Sequence, residues 1–108
     1  MIRHTVAFSL RHPHDSAEET AFLDAARGLA SIPGVQRFEQ LRQVSAQSAF
    51  RFSFSMEFAD AAAYDSYNEH PFHQQFVADR WALEVSDFQE LDFVPLEGSS
   101  RLDTRGAG

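Results

Sequence analysis

The sequence predicts an α+β domain, a four-stranded antiparallel sheet with helices on one face. Three observations carry that expectation. Residues 50–58 alternate strictly, with Phe50, Phe52, Phe54, Met56 and Phe58 set against Arg51, Ser53, Ser55 and Glu57, the pattern of a strand with one buried face. Residues 16–32 place Ala21, Phe22, Ala25, Leu29 and Ile32 at helical intervals behind Ser16 and Glu19, which have the spacing of a capping box. Along the chain the periods run strand, helix, strand, strand, two short helices, strand.

The first strand, IRHTVAFSL, puts Ile2, His4, Val6, Phe8 and Leu10 on one face and Arg3, Thr5, Ala7 and Ser9 on the other, so its apolar face contains a histidine. In the loop RHPHD, His12 and His14 flank Pro13 and are expected to face solvent. The helix that follows stops at Pro33-Gly34, a pair that cannot continue a helix and supplies a turn. The stretch VQRFEQLRQV reads as a more polar strand, at an edge or against something polar, and the phenylalanine-rich strand comes next. Asp60 is a good cap for the short helix ADAAAYDSY. Pro71 then suits the first position of a second helix, with His70 before it as the cap and Phe72, Phe76, Val77 and Trp81 at helical intervals. A last strand near residues 85–94 is expected to turn Leu91 and Phe93 inward, with a bulge able to shift its alternation. After Pro95 the chain is polar and glycine-rich, so residues 1–95 are expected to form the domain and 96–108 a flexible tail.

This order is the ferredoxin-like split βαβ arrangement. The sheet's second face would carry Arg3, Thr5, Ser9, Arg51, Ser53, Ser55 and Glu57, polar enough for water or for a wet subunit contact.

Composition narrows the function. At 108 residues with 44% hydrophobic and 13% aromatic content, the chain can bury one core. Sixteen acidic against nine basic residues give a net charge of -7, which repels phosphate backbones and anionic lipid, so neither nucleic acid nor a membrane surface is an expected partner. There is no cysteine, which removes disulfides, thiolate nucleophiles and Cys-ligated metals and fits a reducing compartment. With no apolar run of signal-peptide or membrane-spanning length, the expectation is a soluble, unprocessed, cytoplasmic protein.

Several stretches taken together, MIRHTVAFSL at the start, IPGV at 32–35, FSMEFAD at 54–60, YNEHPFH at 67–73 with Phe76 and Val77 after it, and ELDF at 90–93, resemble the Dabb family of stress-responsive dimeric α/β-barrel proteins. The likeness runs from residue 1 to about 95. It implies a homodimer whose two sheets pack face to face into a barrel through their polar faces, with a pocket in each subunit between sheet and helices. A characterised member, the plant olivetolic acid cyclase, closes a linear poly-β-keto thioester by an intramolecular aldol condensation. On that resemblance its catalytic tyrosine and histidine match Tyr67 and His73, and a histidine on its first strand matches His4. A further pocket histidine of that enzyme falls near Phe52, where this chain departs from it.

The residues themselves lead to the same place. His4 points to the helix side of the sheet and His73 sits in the first turn of the helix opened by Pro71, so the two can meet across one layer. A helix N-terminus disfavours a positive imidazole and keeps it in the neutral form a general base requires, while Tyr67 can donate to a carbonyl oxygen on which charge develops. The catalytic set is therefore His73, Tyr67 and His4, with Phe52, Phe54, Trp81 and His70 as substrate-binding residues. The ligand would be a small apolar or aromatic carbonyl compound, handled in a cyclase-, lyase- or isomerase-like proton transfer. The alternative is a non-catalytic stress-responsive ligand-binding protein, in which His4 bonds a backbone carbonyl and the histidines of HPFH close a helix end. No cofactor is expected, and no metal: Pro71 separates His70 from His73 and no carboxylate stands ready to complete a ligand set.

Overall fold

The computed structural model describes residues 1–96. Its sheet is antiparallel in the order β2-β3-β1-β4, with β1 at Ile2–Leu10, β2 at Gln36–Arg42, β3 at Phe52–Phe58 and β4 at Val85–Phe93. The helices are α1, Ala17–Ala26, and α2, Ala61–Glu69, followed by α3, Pro71–Phe76, and α4, Ala82–Glu84. A 3-10 turn, Arg27–Ser31, extends α1, and a π-helical turn, Val77–Trp81, joins α3 to α4. The core lies in the layer between sheet and helices, where Phe8, wholly buried, meets Phe22, Phe52, Phe54 and Trp81.

Local chemistry accounts for the element starts. The Ser16 side chain accepts from Glu19 N–H, as a capping box requires, while the Glu19 carboxylate reaches the N–H of Asp15. Asp60 caps α2 by accepting from Ala63 N–H at 2.9 Å. Pro71 occupies the first turn of α3. Gly34, at φ 93°, takes the left-handed turn that carries the chain into β2, and Gly28 lets the Phe72 ring lie on the 3-10 backbone, where a Cβ would come within 2.5 Å of it.

Three expectations need correcting. β3 begins at Phe52, so Arg51 escapes the alternation. Instead of sharing the polar sheet face, its guanidinium turns to α1 and pairs with Glu19 at 2.9 Å and Asp15 at 3.1 Å. His12, placed in solvent by the sequence reading, bonds Glu84 at 2.7 Å and ties the β1–α1 loop to α4. The largest difference is in β4. Leu91 and Phe93 pair with Thr5 and Arg3, and directly paired residues share a face, so they lie on the outer face, 48% and 50% exposed. Glu90 and Asp92 therefore take the helix side, opposite Val6 and His4. The register is set by backbone pairing with β1, shifted at Ser9/Leu10, and a one-residue change of phase exchanges the two faces of a strand.

The outer face keeps a polar centre, with Arg3 on Glu57 at 2.7 Å, and apolar margins at Leu41, Leu91 and Phe93. The tail expected over 96–108 lies outside the described residues, apart from Leu96. Among the described residues no helix is long and apolar enough to cross a membrane.

Candidate functional site

A cavity of about 390 Å³ opens between β1, β3, β4 and the segment that runs from α2 to α4. Its walls are mostly apolar, with Val6, Phe54, Met56, Phe76, Trp81 and Phe88 among them. The polar groups that reach it are His4, Tyr67, Asn68, His73 and Glu90. A few polar groups converging in an apolar concavity is the usual form of a small-molecule site. The π-helical turn lies along one wall, where Val77 and Trp81 line the cavity; the extra residue of such a turn re-aims side chains, and helical spacing in the sequence does not reveal it.

His73 is the third residue of α3, and its Nδ1 lies 3.2 Å from the carbonyl of Asn68. A carbonyl can only accept, so Nδ1 carries the hydrogen and Nε2 keeps its lone pair. Burial disfavours the charged ring and lowers the pKa from its ordinary 6.5, and charge on His4 would act the same way; the Asn68 bond and the Glu90 carboxylate oppose the shift without reversing it. The lowering anticipated from the helix N-terminus thus comes first from desolvation. Tyr67, only 2% exposed, lies against His73 with ring centroids 4.5 Å apart and planes tilted by 53°. Burial and then the Glu90 charge push its pKa upward, so it remains a protonated donor. Its hydroxyl has no hydrogen-bond partner among the described residues and is not a sealed atom, so it is left to the cavity.

His4 is held from behind. Its Nδ1 lies 2.6 Å from Asp92 Oδ1 and 2.8 Å from the Tyr64 hydroxyl, which donates to Asp92 Oδ2 at 2.9 Å. With Nδ1–H donated to the carboxylate, Nε2 is the free nitrogen of His4. Burial, then the Asp92 hydrogen bond, raise the Tyr64 pKa and keep its hydroxyl a donor. Sequence reasoning missed Tyr64, Asp92, Glu90 and Asn68. Tyr64 precedes Tyr67 by three residues on α2, a spacing that puts both on one helix face and could have drawn attention to it. The two β4 carboxylates became visible only with the register.

Of the binding residues expected, Phe54 and Trp81 line the cavity and two others do not. Phe52 pairs with Phe8, one step farther along the sheet, and fills the core beside Leu23; Met56, opposite His4, takes the wall position assigned to it. His70 is the cap of α3, its Nδ1 accepting from Phe72 N–H at 3.1 Å, and it stands outside the cavity. Replacing it by alanine is expected to lower stability by about 1 kcal/mol, as for loss of a helix cap, and His70→Asp to restore most of it, both read from denaturant midpoints.

The reason given against a metal also changes: His4, Glu90 and Asp92 bring potential ligand atoms within 4.8 Å of one another. Both Asp92 oxygens and the Nδ1 of His4 are engaged, which leaves few donors for an ion.

The model of the stress-responsive A/B barrel domain matches residues 2–95. A Dabb family protein with a ferredoxin-like fold from Mesorhizobium loti is 57% identical, with a TM-score of 0.86 over 88% of this chain and 96% of that one. A dimeric ferredoxin-like protein of unknown function from Thermobifida fusca is similar at 18% identity and a TM-score of 0.71, over 87% of this chain and 90% of that one. A hydroxynitrile lyase from Passiflora edulis is similar at 13% identity and a TM-score of 0.77, covering 89% and 94%. At such identities the last two share the fold alone. Comparison with curated proteins returns no match. The family model and the Mesorhizobium structure agree over nearly the whole domain, and the chain belongs to the Dabb family of stress-responsive A/B barrel proteins.

Proposed function

We propose that the protein binds a small, partly apolar carbonyl compound in each subunit of a homodimer and moves a proton on it, with His73 as the base. The observation that supports this reading is the pairing, in one apolar cavity, of an imidazole whose pKa is lowered by burial with the hydroxyl of the buried Tyr67, which no group among the described residues engages. Nε2 of His73 takes a proton from a carbon flanked by carbonyl. The resulting enolate oxygen accepts from the Tyr67 hydroxyl, and the imidazolium returns the proton to carbon or to an alkoxide formed by addition. His4, anchored by Asp92 and Tyr64, orients the same oxygen. This chemistry serves an aldol cyclisation of the olivetolic acid cyclase kind, and equally a lyase or isomerase reaction. The chain contains no lysine, so an imine route through a lysine amine is closed to it.

The dimer would cover the outer sheet face. Leu41, Leu91 and Phe93 expose apolar surface around the Arg3–Glu57 pair there, and a fold-level relative is described as dimeric.

The test is deuterium uptake from D2O at the α-carbon of a panel of aryl ketones and β-dicarbonyls, followed by proton NMR. The reading expects exchange above buffer for at least one compound, suppressed in His73→Ala. Binding without any exchange above that variant would instead identify a ligand-binding protein with structural histidines.

A further inference from the structure

The charges around the cavity are one-sided. Glu90 and Asp92 stand on the same face of β4 with His4 between them and β3, and their ligand-type atoms lie within 4.8 Å of one another. Among the described residues no arginine lines the cavity, and the chain contains no lysine. Asp92 is engaged at both oxygens, by His4 and by Tyr64. Glu90 has no hydrogen-bond or ion-pair partner among the described residues, although it lines the cavity next to the aromatic walls formed by Trp81 and Phe88, whose rings are 5.7 Å apart in an edge-to-face pair. An uncompensated carboxylate beside aromatic rings favours a cation and repels an anion, since ring faces attract positive charge as the carboxylate does. The hydroxyl of Tyr67 in the same cavity, which has no partner among the described residues, is an independent sign that a ligand completes it.

We infer that Glu90 is the specificity-determining residue of this cavity, and that the ligand carries a protonated amine next to its apolar or aromatic body. Carboxylates and other anionic compounds are excluded. A metal ion fits less well, because the oxygens of Asp92 are already committed and the remaining surroundings are apolar; an ammonium group needs one carboxylate and tolerates ring faces. This inference rests on the cavity being a ligand site and not on His73 acting as a base.

The test is isothermal titration of the full chain with three compounds of one shape, 2-phenylethylamine, 2-phenylethanol and phenylacetate, repeated with the E90Q variant. Glu90 sits exposed on an edge strand, so E90Q is expected to keep the wild-type melting temperature. With the alcohol as reference in each protein, the wild type should bind the amine about tenfold tighter than the carboxylate, and E90Q should bring the two within about threefold. An alcohol that binds while the carboxylate equals the amine, or an amine preference that survives E90Q, would overturn the inference and leave the proton-transfer reading standing. Binding of none of the three would overturn the inference, while the proton-transfer reading stands or falls on the deuterium exchange of the ketones. Stabilisation by zinc or magnesium chloride that E90Q abolishes would put a metal ion where the amine is placed, and would also overturn it.

Discussion

His73→Ala is expected to slow α-proton exchange on a responsive ketone by about 100- to 10,000-fold, the usual contribution of a positioned general base. The fold should survive, because the ring is only half-buried and its one hydrogen bond among the described residues goes to the Asn68 carbonyl at 3.2 Å. Tyr67→Phe should lose rate without losing affinity, since the missing hydroxyl matters most when the oxygen becomes an enolate. The pH dependence follows from the direction of the His73 shift. A base whose pKa is lowered by burial is mostly unprotonated at pH 7, so the rate should fall to half its plateau only below pH 6.5. A rate that already falls between pH 8 and 7 would point to another group.

Arg51→Ala is expected to be the most damaging polar substitution in the described part of the chain, costing about 3 kcal/mol, at the low end for a broken buried pair because Arg51 keeps some contact with water. It removes the guanidinium partner of a Glu19 carboxylate whose side chain is nearly buried and leaves that charge with the Asp15 N–H as its remaining support among the described residues. Burial by itself would raise the Glu19 pKa. The Arg51 hydrogen bonds, the Asp15 N–H and the guanidinium charge outweigh it, so the folded value lies below the ordinary 4.5. A lowered carboxylate pKa contributes stability that is fully present above the unfolded value and is lost as pH falls through the folded one. The wild type should therefore lose stability below about pH 4.5 more steeply than Arg51→Ala, whose midpoint in urea should already be low at pH 7. Equal urea midpoints at pH 7 would show that the pair contributes nothing.

How far the sequence reached depended on whether local pattern or long-range pairing sets a feature. The strands β1 and β3, the caps at Ser16, Asp60 and His70 and the proline start of α3 are local, and their residues announce them. In β4 the local pattern misleads, because inward apolar residues are the default for a strand, whereas here the helix side opens onto a cavity lined by Glu90, with Asp92 opposite His4, and Leu91 and Phe93 go to the outer face. That phase is set by pairing with β1, where Asp92 meets a His4 that is 88 residues away in sequence, a separation no local window contains. The same error hid half of the site. With Leu91 and Phe93 expected inward, Asp92 falls on the outer face, away from His4 and Tyr64, and the bonds that join the three are hidden. Phe52 and Phe54 looked equivalent in the alternating row, and only the register separates the core residue from the cavity wall.

The central claim is that His73 is a neutral imidazole with its Nε2 lone pair free in the cavity. Nitrogen-15 NMR of protein labelled at histidine, followed through a pH titration and assigned with His73→Ala, reads both the tautomer and the midpoint. The account predicts an Nδ1–H tautomer for His73 at pH 7 and a midpoint below 6.5. A proton on Nε2 at pH 7, or a midpoint at or above 6.5, would contradict it.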